Sequence, residues 1–265
     1  MKVFELDLYM MPFCECKDAV PRLLNDIRIY NLSEIDKQFL RSDYKYIDQR
    51  FALVLRSLKF DIGKDSGDVF ILEWAPSKSH GVVEPKDGLS RVFLYGLEPL
   101  VFAGLSDNLK YLFLAKIIRE MMLAIAIKED LDLAKIAEAY EQIVKYGKEL
   151  EIVGITKKVK DLRLSLLFTV SEAAYLALSV ESVSGKNLKK IRILNLEQYE
   201  DAFKFCGRLA VRKDFIFVYP RQNIVAKHTL KRYADVVRSN GFIVSDDFNC
   251  VQVPLERFGL SLAGQ

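Results

Sequence analysis

The stretch "DFIFVYP" spans residues 214–220 and predicts a β-strand, because apolar and aromatic side chains run up to a closing proline. Residues 226–241, "AKHTLKRYADVVRSNG", predict a helix that ends at Gly241, since glycine favours helix C-termini. Two further short strands are predicted at residues 242–245 and 249–253. This order of strand, helix and strands predicts an α/β unit in the second half of the chain.

A comparable order lies in the first half of the chain. The apolar run "RVFLY" at residues 91–95 precedes "LAKIIREMMLAIAIKED" at residues 114–130, where we expect a helix to Met121 and then a strand over residues 122–127. The sequence therefore predicts a mixed α/β (α+β) fold with two similar small modules, each a mixed sheet with flanking helices. The alternative is coincidence, because such units recur in many unrelated α/β folds.

Three further helices are predicted from apolar side chains at helical spacing. They cover residues 44–58, 131–150 and 171–180, and Ser171 is the expected N-cap of the last one. An apolar run at residues 162–170 precedes that last helix.

Charge is distributed unevenly between the two predicted modules. Residues 1–150 hold 21 Lys and Arg against 24 Asp and Glu, a net charge of −3, whereas residues 151–265 hold 18 against 12, a net charge of +6. A basic module beside an acidic one indicates a polyanionic partner for the basic module. The alternative is ordinary variation in surface charge.

The composition predicts a folded chain with a packed core. Of 265 residues, 51% are hydrophobic and 28% are charged. The most apolar helical stretch, residues 111–127, contains Lys116 and Arg119, so it is predicted to lie in the core and not to cross a membrane. Glu5 and Asp7 interrupt the apolar start, which argues against a signal peptide, and we expect a cytoplasmic protein.

The sequence offers little material for metal or cofactor binding. It has four Cys and two His, and Cys14 and Cys16 are spaced more closely than the usual half of a zinc site. No dinucleotide-binding or complete ATP-binding motif is present. We therefore expect no metal and no cofactor.

Several stretches resemble the tRNA-splicing endonucleases of archaea, some of which carry two similar modules in one chain. "RKDFIFVYP" at residues 212–220 resembles the family's strand motif, and "LSLLFTVSEAAYLAL" at residues 164–178 resembles the helix that precedes its nuclease module. "FALVLRSLKFDIG" at residues 51–63 and "GDVFILEW" at residues 67–74 resemble the helix end and strand of the same module. The resemblance implies that residues 151–265 are nuclease-like and that the first module is non-catalytic.

The resemblance also implies a catalytic set. The family cleaves RNA without a metal: Tyr takes the proton of the attacking 2′-hydroxyl, His protonates the leaving oxygen, and Lys stabilises the added negative charge, which gives 2′,3′-cyclic phosphate and 5′-hydroxyl ends. Tyr219 and His228 match the family's order. The family's Lys position holds residues 238–240, "RSN", and Lys231 is the candidate in its place.

Basic side chains of the second module predict contacts to phosphate groups, because Lys and Arg neutralise phosphates without reading sequence. Tyrosines among them, including Tyr219, could stack on unpaired bases. The alternative is an ordinary solvated surface. The candidate RNA-binding residues are Lys157, Lys158, Lys186, Lys189, Lys190, Arg192, Arg212, Lys213, Arg221, Lys227 and Arg232.

Two functions follow from these observations. One is an RNA-processing protein of the splicing-endonuclease type, which either cleaves precursor tRNA or serves as a structural subunit. The other is a non-catalytic nucleic-acid-binding or assembly module. We expect RNA as a partner, no membrane, and a homodimer or heteromeric complex, because residues 249–253 are a candidate edge strand and unpaired edges favour pairing with another chain.

Overall fold

The computed structural model describes residues 23–24, 26–30, 43–62, 69–75, 81–83, 90–96, 99–183 and 187–260. In this part of the chain, three four-stranded sheets are flanked by six α-helices. The predicted mixed α/β architecture is confirmed. The strand predicted at residues 91–95 is also confirmed, as the fourth strand of the first sheet.

The first sheet belongs to the first half of the chain and has the order β1-β2-β4-β3. Its strands are β1 (Asp26–Tyr30), β2 (Val69–Ala75), β3 (Gly81–Val83) and β4 (Ser90–Gly96). Strands β1, β2 and β4 run parallel, and β3 runs antiparallel to β4. Phe70 and Leu72 on the central strand β2 are fully buried, as expected for a parallel sheet covered by helices.

Four helices accompany this sheet. They are α1 (Ile47–Ser57), α2 (Pro99–Ala103), α3 (Asp107–Glu129) and α4 (Leu133–Tyr146). The helices predicted at residues 44–58 and 131–150 are confirmed as α1 and α4, and each adjoins a short 3-10 turn. In the part of the chain that the structure describes, no helix is both long and apolar enough to cross a membrane.

The strand predicted over residues 122–127 is wrong, because α3 continues without a break to Glu129. This stretch, "MLAIAI", contains Met, Leu and Ala, which favour helices, and neither Gly nor Pro to end one. Met122, Ile125 and Ala126 are fully buried at helical spacing, so core packing supports the continued helix. This part of the proposed repeat is therefore a single long helix.

The second sheet is an antiparallel meander in chain order. Its strands are β5 (Glu151–Val159), β6 (Leu162–Thr169), β7 (Tyr175–Ser182) and β8 (Asn187–Asn195). The helix predicted over residues 171–180 is wrong, because most of that stretch forms β7. Leu176, Leu178 and Val180 are fully buried at alternate positions and pair with β6, so tertiary packing overrides the helical preference of "SEAAYLAL".

The third sheet follows the second and has the antiparallel order β11-β12-β10-β9. The elements of this region are α5 (Asp201–Phe205), β9 (Arg208–Arg212), β10 (Phe215–Tyr219), α6 (Ile224–Ser239), β11 (Ile243–Val244) and β12 (Val251–Pro254). The strand and the helix predicted at residues 214–220 and 226–241 are confirmed as β10 and α6. The Asn223 side chain caps α6 by accepting a hydrogen bond from the Ala226 amide at 2.7 Å.

The edge strand expected at residues 249–253 is wrong, because β12 lies inside the third sheet. It pairs with β10 on one side and with β11 on the other. After the turn that follows β11, β12 runs back beside it, and Gln252 and Val251 pair with Ile243 and Val244. The backbone groups on this side of β12 are therefore already paired. The dimer or heteromeric complex stays a prediction, without this strand as its support.

One hydrophobic core runs through both halves of the described chain. It includes Phe51 and Ile118 from the first half and Phe168 and Val218 from the second. The fully buried Arg50 of α1 adds a polar link, because its Nε donates a hydrogen bond to the Val170 carbonyl oxygen at 2.9 Å. The three sheets therefore share a packed interior.

A buried carboxylate joins α5 to α6. Asp201 is 1% exposed and accepts hydrogen bonds from the Tyr233 hydroxyl at 2.7 Å, from Lys204 Nζ at 2.9 Å and from Arg232. The Tyr233 oxygen in turn accepts a hydrogen bond from the Glu197 amide at 2.8 Å. These donors compensate the cost of burying the Asp201 charge and hold α6 in place.

We expect Asp201→Ala to destabilise the protein by about 2–4 kcal/mol, because it leaves the buried Tyr233 hydroxyl and two cations without their acceptor. The measurement is the free energy of unfolding in urea. Asp235→Ala is the matched control: Asp235 is 99% exposed and pairs with Arg238 on the surface of α6, so its loss should cost less than about 0.5 kcal/mol. Equal effects of the two variants would contradict this role of Asp201.

A second carboxylate, Asp48 near the start of α1, lies in an unfavourable place for its charge. Burial, together with the nearby charge of Asp26, raises the pKa of Asp48 to about 7, against the hydrogen bond that the Gln49 amide donates. Asp26 has its own donors, Arg28 and Gln49. Protonated Asp48 is thus favoured in the folded state.

We expect Asp48→Asn to stabilise the protein increasingly as the pH rises from about 4 to about 7. In this window the folded state holds the Asp48 proton and the unfolded state, with an ordinary pKa of 3.8, does not, so wild-type stability falls with rising pH. The difference should reach about 1–2 kcal/mol above pH 7 after allowance for solvent screening. Urea unfolding of both proteins across this range measures it, and a difference that does not change with pH would contradict the expectation.

Candidate nucleic-acid interface

Strand β10 presents different side chains on its two faces. Ile216 and Val218 are fully buried in the core, whereas Phe215, Phe217 and Tyr219 are only partly buried. Successive side chains of a strand point to opposite faces, so these three aromatic rings share the face that is turned away from the core. We call Phe215, Phe217 and Tyr219 the β10 aromatic row.

The neighbouring strands give this face a basic side. On β9, the residues directly opposite Phe215, Phe217 and Tyr219 are Arg212, Ala210 and Arg208, in that order. On the other side, β12 places Pro254 and Gln252 opposite Phe215 and Phe217. Directly opposed residues lie on the same face of a sheet, so two arginines border the aromatic row along β9.

The three rings form a continuous series. The centroids of Phe215 and Phe217 lie 6.5 Å apart at 65°, and those of Phe217 and Tyr219 lie 6.0 Å apart at 16°, which is close to parallel. Within the described residues, the rings contact one another and Arg208, and none of them packs against the hydrophobic core. The row is therefore a surface feature.

The Arg208 guanidinium lies over the Tyr219 ring, with its central carbon 4.4 Å from the ring centroid. This is a cation–π contact, which is worth about 0.5–1 kcal/mol at an exposed site. The contact ties Tyr219 to the neighbouring strand β9.

The implied catalytic residues lie in two separate places. His228 is exposed on α6, on the side opposite to the buried stripe of Leu230 and Tyr233. That stripe belongs to the same core as Ile216 and Val218, whereas Tyr219 lies on the other face of β10. The exposed Lys231 has its Nζ 5.9 Å from the Phe248 ring centroid. His228 and Lys231 are three residues apart on the exposed side of α6 and are therefore neighbours, whereas no hydrogen bond or ring contact among the described residues joins either of them to Tyr219.

Six of the candidate RNA-binding cations are exposed, and none of them forms an ion pair with a described residue. They are Lys157, Lys158, Lys189, Arg212, Lys213 and Lys227. Their charges are therefore free to meet phosphate groups.

Other candidate cations are already engaged within the protein. Lys190 Nζ lies 2.9 and 2.8 Å from the two carboxylate oxygens of Glu151, and this ion pair joins the two edge strands β8 and β5 of the second sheet. The Arg192 guanidinium lies 4.0 Å from the Tyr175 ring centroid. Burial and a hydrogen bond to Glu151 raise the pKa of Tyr175 to about 12, so its hydroxyl stays a donor at neutral pH.

Two further cations belong to the protein's interior contacts, and one is outside the described residues. Arg232 pairs with Asp201 and lies 3.6 Å from Glu197, so it serves the α5–α6 junction. Arg221 is half-buried. Lys186 lies outside the described residues.

A small polar cavity of about 230 Å³ lies between the end of α4 and the turn from β6 to β7. Lys148, Thr169, Ser171 and Tyr175 are among its lining residues, and none of the implied catalytic residues is. Among the described residues, no three His, Cys, Asp or Glu side chains are grouped as a metal site would require. Burial raises the pKa of the Cys206 thiol to about 12, which keeps it from acting as a nucleophile.

Sequence reasoning missed Phe215, Phe217 and Arg208 as members of one surface. The available signal was the alternation in "FIFVY", where aromatic residues take every second position and aliphatic residues take the others. The two arginines in "RLAVR" are four residues apart, which places them on one face of the preceding strand.

Comparisons of the chain with protein-family models, with curated proteins and with solved structures find no match.

Proposed function

We propose that this protein binds RNA through the basic surface of its second half and does not cleave it. The observation that carries the proposal is the set of exposed cations in residues 151–265 that have no acidic partner within the described chain. Lys and Arg side chains placed in this way release counterions when they meet phosphates, which supplies affinity for any RNA.

The strand register groups several of these cations at one end of the second sheet. Lys157 of β5 and Lys189 of β8 lie in the same cross-strand row, through Leu164 and Val180. In the next row, Lys158 lies opposite Arg163. We call Lys157, Lys158, Lys160, Arg163 and Lys189 the basic sheet end.

The charge of the basic sheet end stays positive after nearby acids are counted. Asp161 lies in the turn between β5 and β6, and Glu181 lies opposite Arg163 on β7. Two carboxylates against five cations leave an excess of positive charge on a surface of regular strands. Because Lys157 and Lys158 are successive residues of β5, the cations occupy both faces of this sheet end, and such a local excess of positive charge attracts the phosphates of a nucleic-acid backbone.

RNA is the favoured polyanion because residues 212–220 resemble the strand motif of tRNA-splicing endonucleases. Binding without cleavage is favoured because Tyr219 lies on the outer face of β10 and His228 on the exposed side of α6, with no hydrogen bond between them among the described residues. General acid–base catalysis requires both groups within hydrogen-bond reach of one phosphate. Residues 238–240 also hold no lysine.

We expect the double variant Lys157→Glu, Lys158→Glu to weaken RNA binding about ten-fold or more at moderate salt and to lower the salt dependence of the affinity, because two phosphate contacts are lost. Fluorescence anisotropy with labelled RNA at several salt concentrations measures both quantities. The matched control reverses two exposed lysines of the first half, Lys116 and Lys145, and should leave binding nearly unchanged. Affinity that is insensitive to salt would contradict the proposal.

We expect no cleavage when the protein is incubated in EDTA with an intron-containing tRNA precursor, because the implied proton donor and acceptor do not converge. Gel analysis of the RNA ends measures the result. If fragments with 2′,3′-cyclic phosphate ends appear and His228→Ala abolishes them, the protein is an endoribonuclease and the non-catalytic proposal is wrong.

A further inference from the structure

The β10 aromatic row places three aromatic rings in succession on the outer face of the third sheet, outside the hydrophobic core. Phe215 and Phe217 are large apolar side chains outside the core, and Ile243, 47% exposed, extends the apolar area toward β11. Contiguous exposed apolar surface commonly marks a binding site. The three rings are only partly buried and lie outside the core, so the β10 aromatic row is a candidate binding surface.

The spacing of the three rings suits a ligand that carries several flat groups in a line. Alternate residues of a strand are about 6.6 Å apart, so the three rings offer successive platforms along one line. Phe217 and Tyr219 are nearly parallel, at 16°. The Arg208 guanidinium lies over the Tyr219 ring, so Phe215 and Phe217 are the two rings of the row that carry no cation of the described chain.

The positive charges beside the row indicate a negatively charged ligand. Arg208 and Arg212 border the rings along β9, and Lys213 follows in the hairpin turn. On the opposite side, Gln252 is uncharged. A ligand that lays planar groups on the rings and a row of negative charges along β9 would satisfy both features.

We propose that the β10 aromatic row stacks on unpaired bases of single-stranded RNA, while Arg212 and Lys213 contact the adjoining phosphates. The proposal rests on the proposed RNA binding and specifies the form of RNA that is bound. Bases in a duplex are stacked on each other and cannot reach the rings, whereas splayed bases of a single strand can. Every base has a flat face, so this surface selects single strands without selecting sequence.

The test compares an oligouridylate with duplex RNA of the same length. Phe217→Ala should weaken oligouridylate binding about ten-fold, because it removes the ring on which one base stacks. The same variant should leave duplex binding unchanged. Phe217 lies outside the core, so the variant keeps its packed interior. Tyr146→Ala, which removes a 47% exposed aromatic ring at the end of α4, is the matched control and should bind both RNAs as wild type does.

A second variant reports on stacking directly. Phe217→Trp retains an aromatic platform, and its fluorescence can be separated from that of the chain's single tryptophan, Trp74, which is 3% exposed. A stacked base quenches an exposed tryptophan. We expect saturable quenching by oligouridylate, at the concentrations where it binds, and little quenching by duplex RNA.

Three results would overturn the inference while leaving RNA binding intact. They are unchanged oligouridylate affinity of Phe217→Ala, equal losses for single-stranded and duplex RNA, and oligouridylate binding without quenching of Phe217→Trp. A blue shift of Phe217→Trp that depends on protein concentration alone, without quenching by RNA, would assign this face to a second copy of the chain. If wild type binds neither RNA at low salt, the proposed function fails, and the inference fails with it.

Discussion

The pleat of β10 is the constraint on which the second half of the molecule depends. Ile216 and Val218 must face the interior to complete the core with Leu230 and Val237 of α6. The intervening aromatic side chains are therefore forced to the outer face, beside the arginines of β9. One alternation thus fixes both the packing of α6 and the composition of the surface that we assign to RNA.

Charge in the second half is divided between interior contacts and free surface. Asp201 and Glu151 engage Arg232 and Lys190, and these contacts hold α6 and the curved second sheet. The remaining cations, such as Lys157 and Lys158, project from regular strands without an acidic partner among the described residues. The net charge of +6 in this half of the sequence does not show which cations are paired within the protein and which are not. The contacts in the structure separate the two sets.

Local patterns predicted the elements whose periodicity is strong, including β10, α1, α4 and α6 with its glycine end. They failed where distant contacts decide. Residues 171–180 have helical composition but pair with β6. For residues 122–127 the local composition itself favours the helix that α3 continues, and Met122, Ile125 and Ala126 are buried at helical spacing. The separation of Tyr219 from His228 also depends on how α6 packs, which residue order alone does not specify.

The most direct test of the central claim is the pattern of amide chemical-shift changes when the isotope-labelled protein is titrated with oligouridylate. RNA binding by the second half predicts changes grouped on β9 and β10, from Arg208 to Tyr219, and at the basic sheet end around Lys157 and Lys158. Helices α3 and α4 of the acidic half should show none. Changes confined to that acidic half, or no changes at concentrations well above the expected affinity, would contradict RNA binding by the second half of the chain.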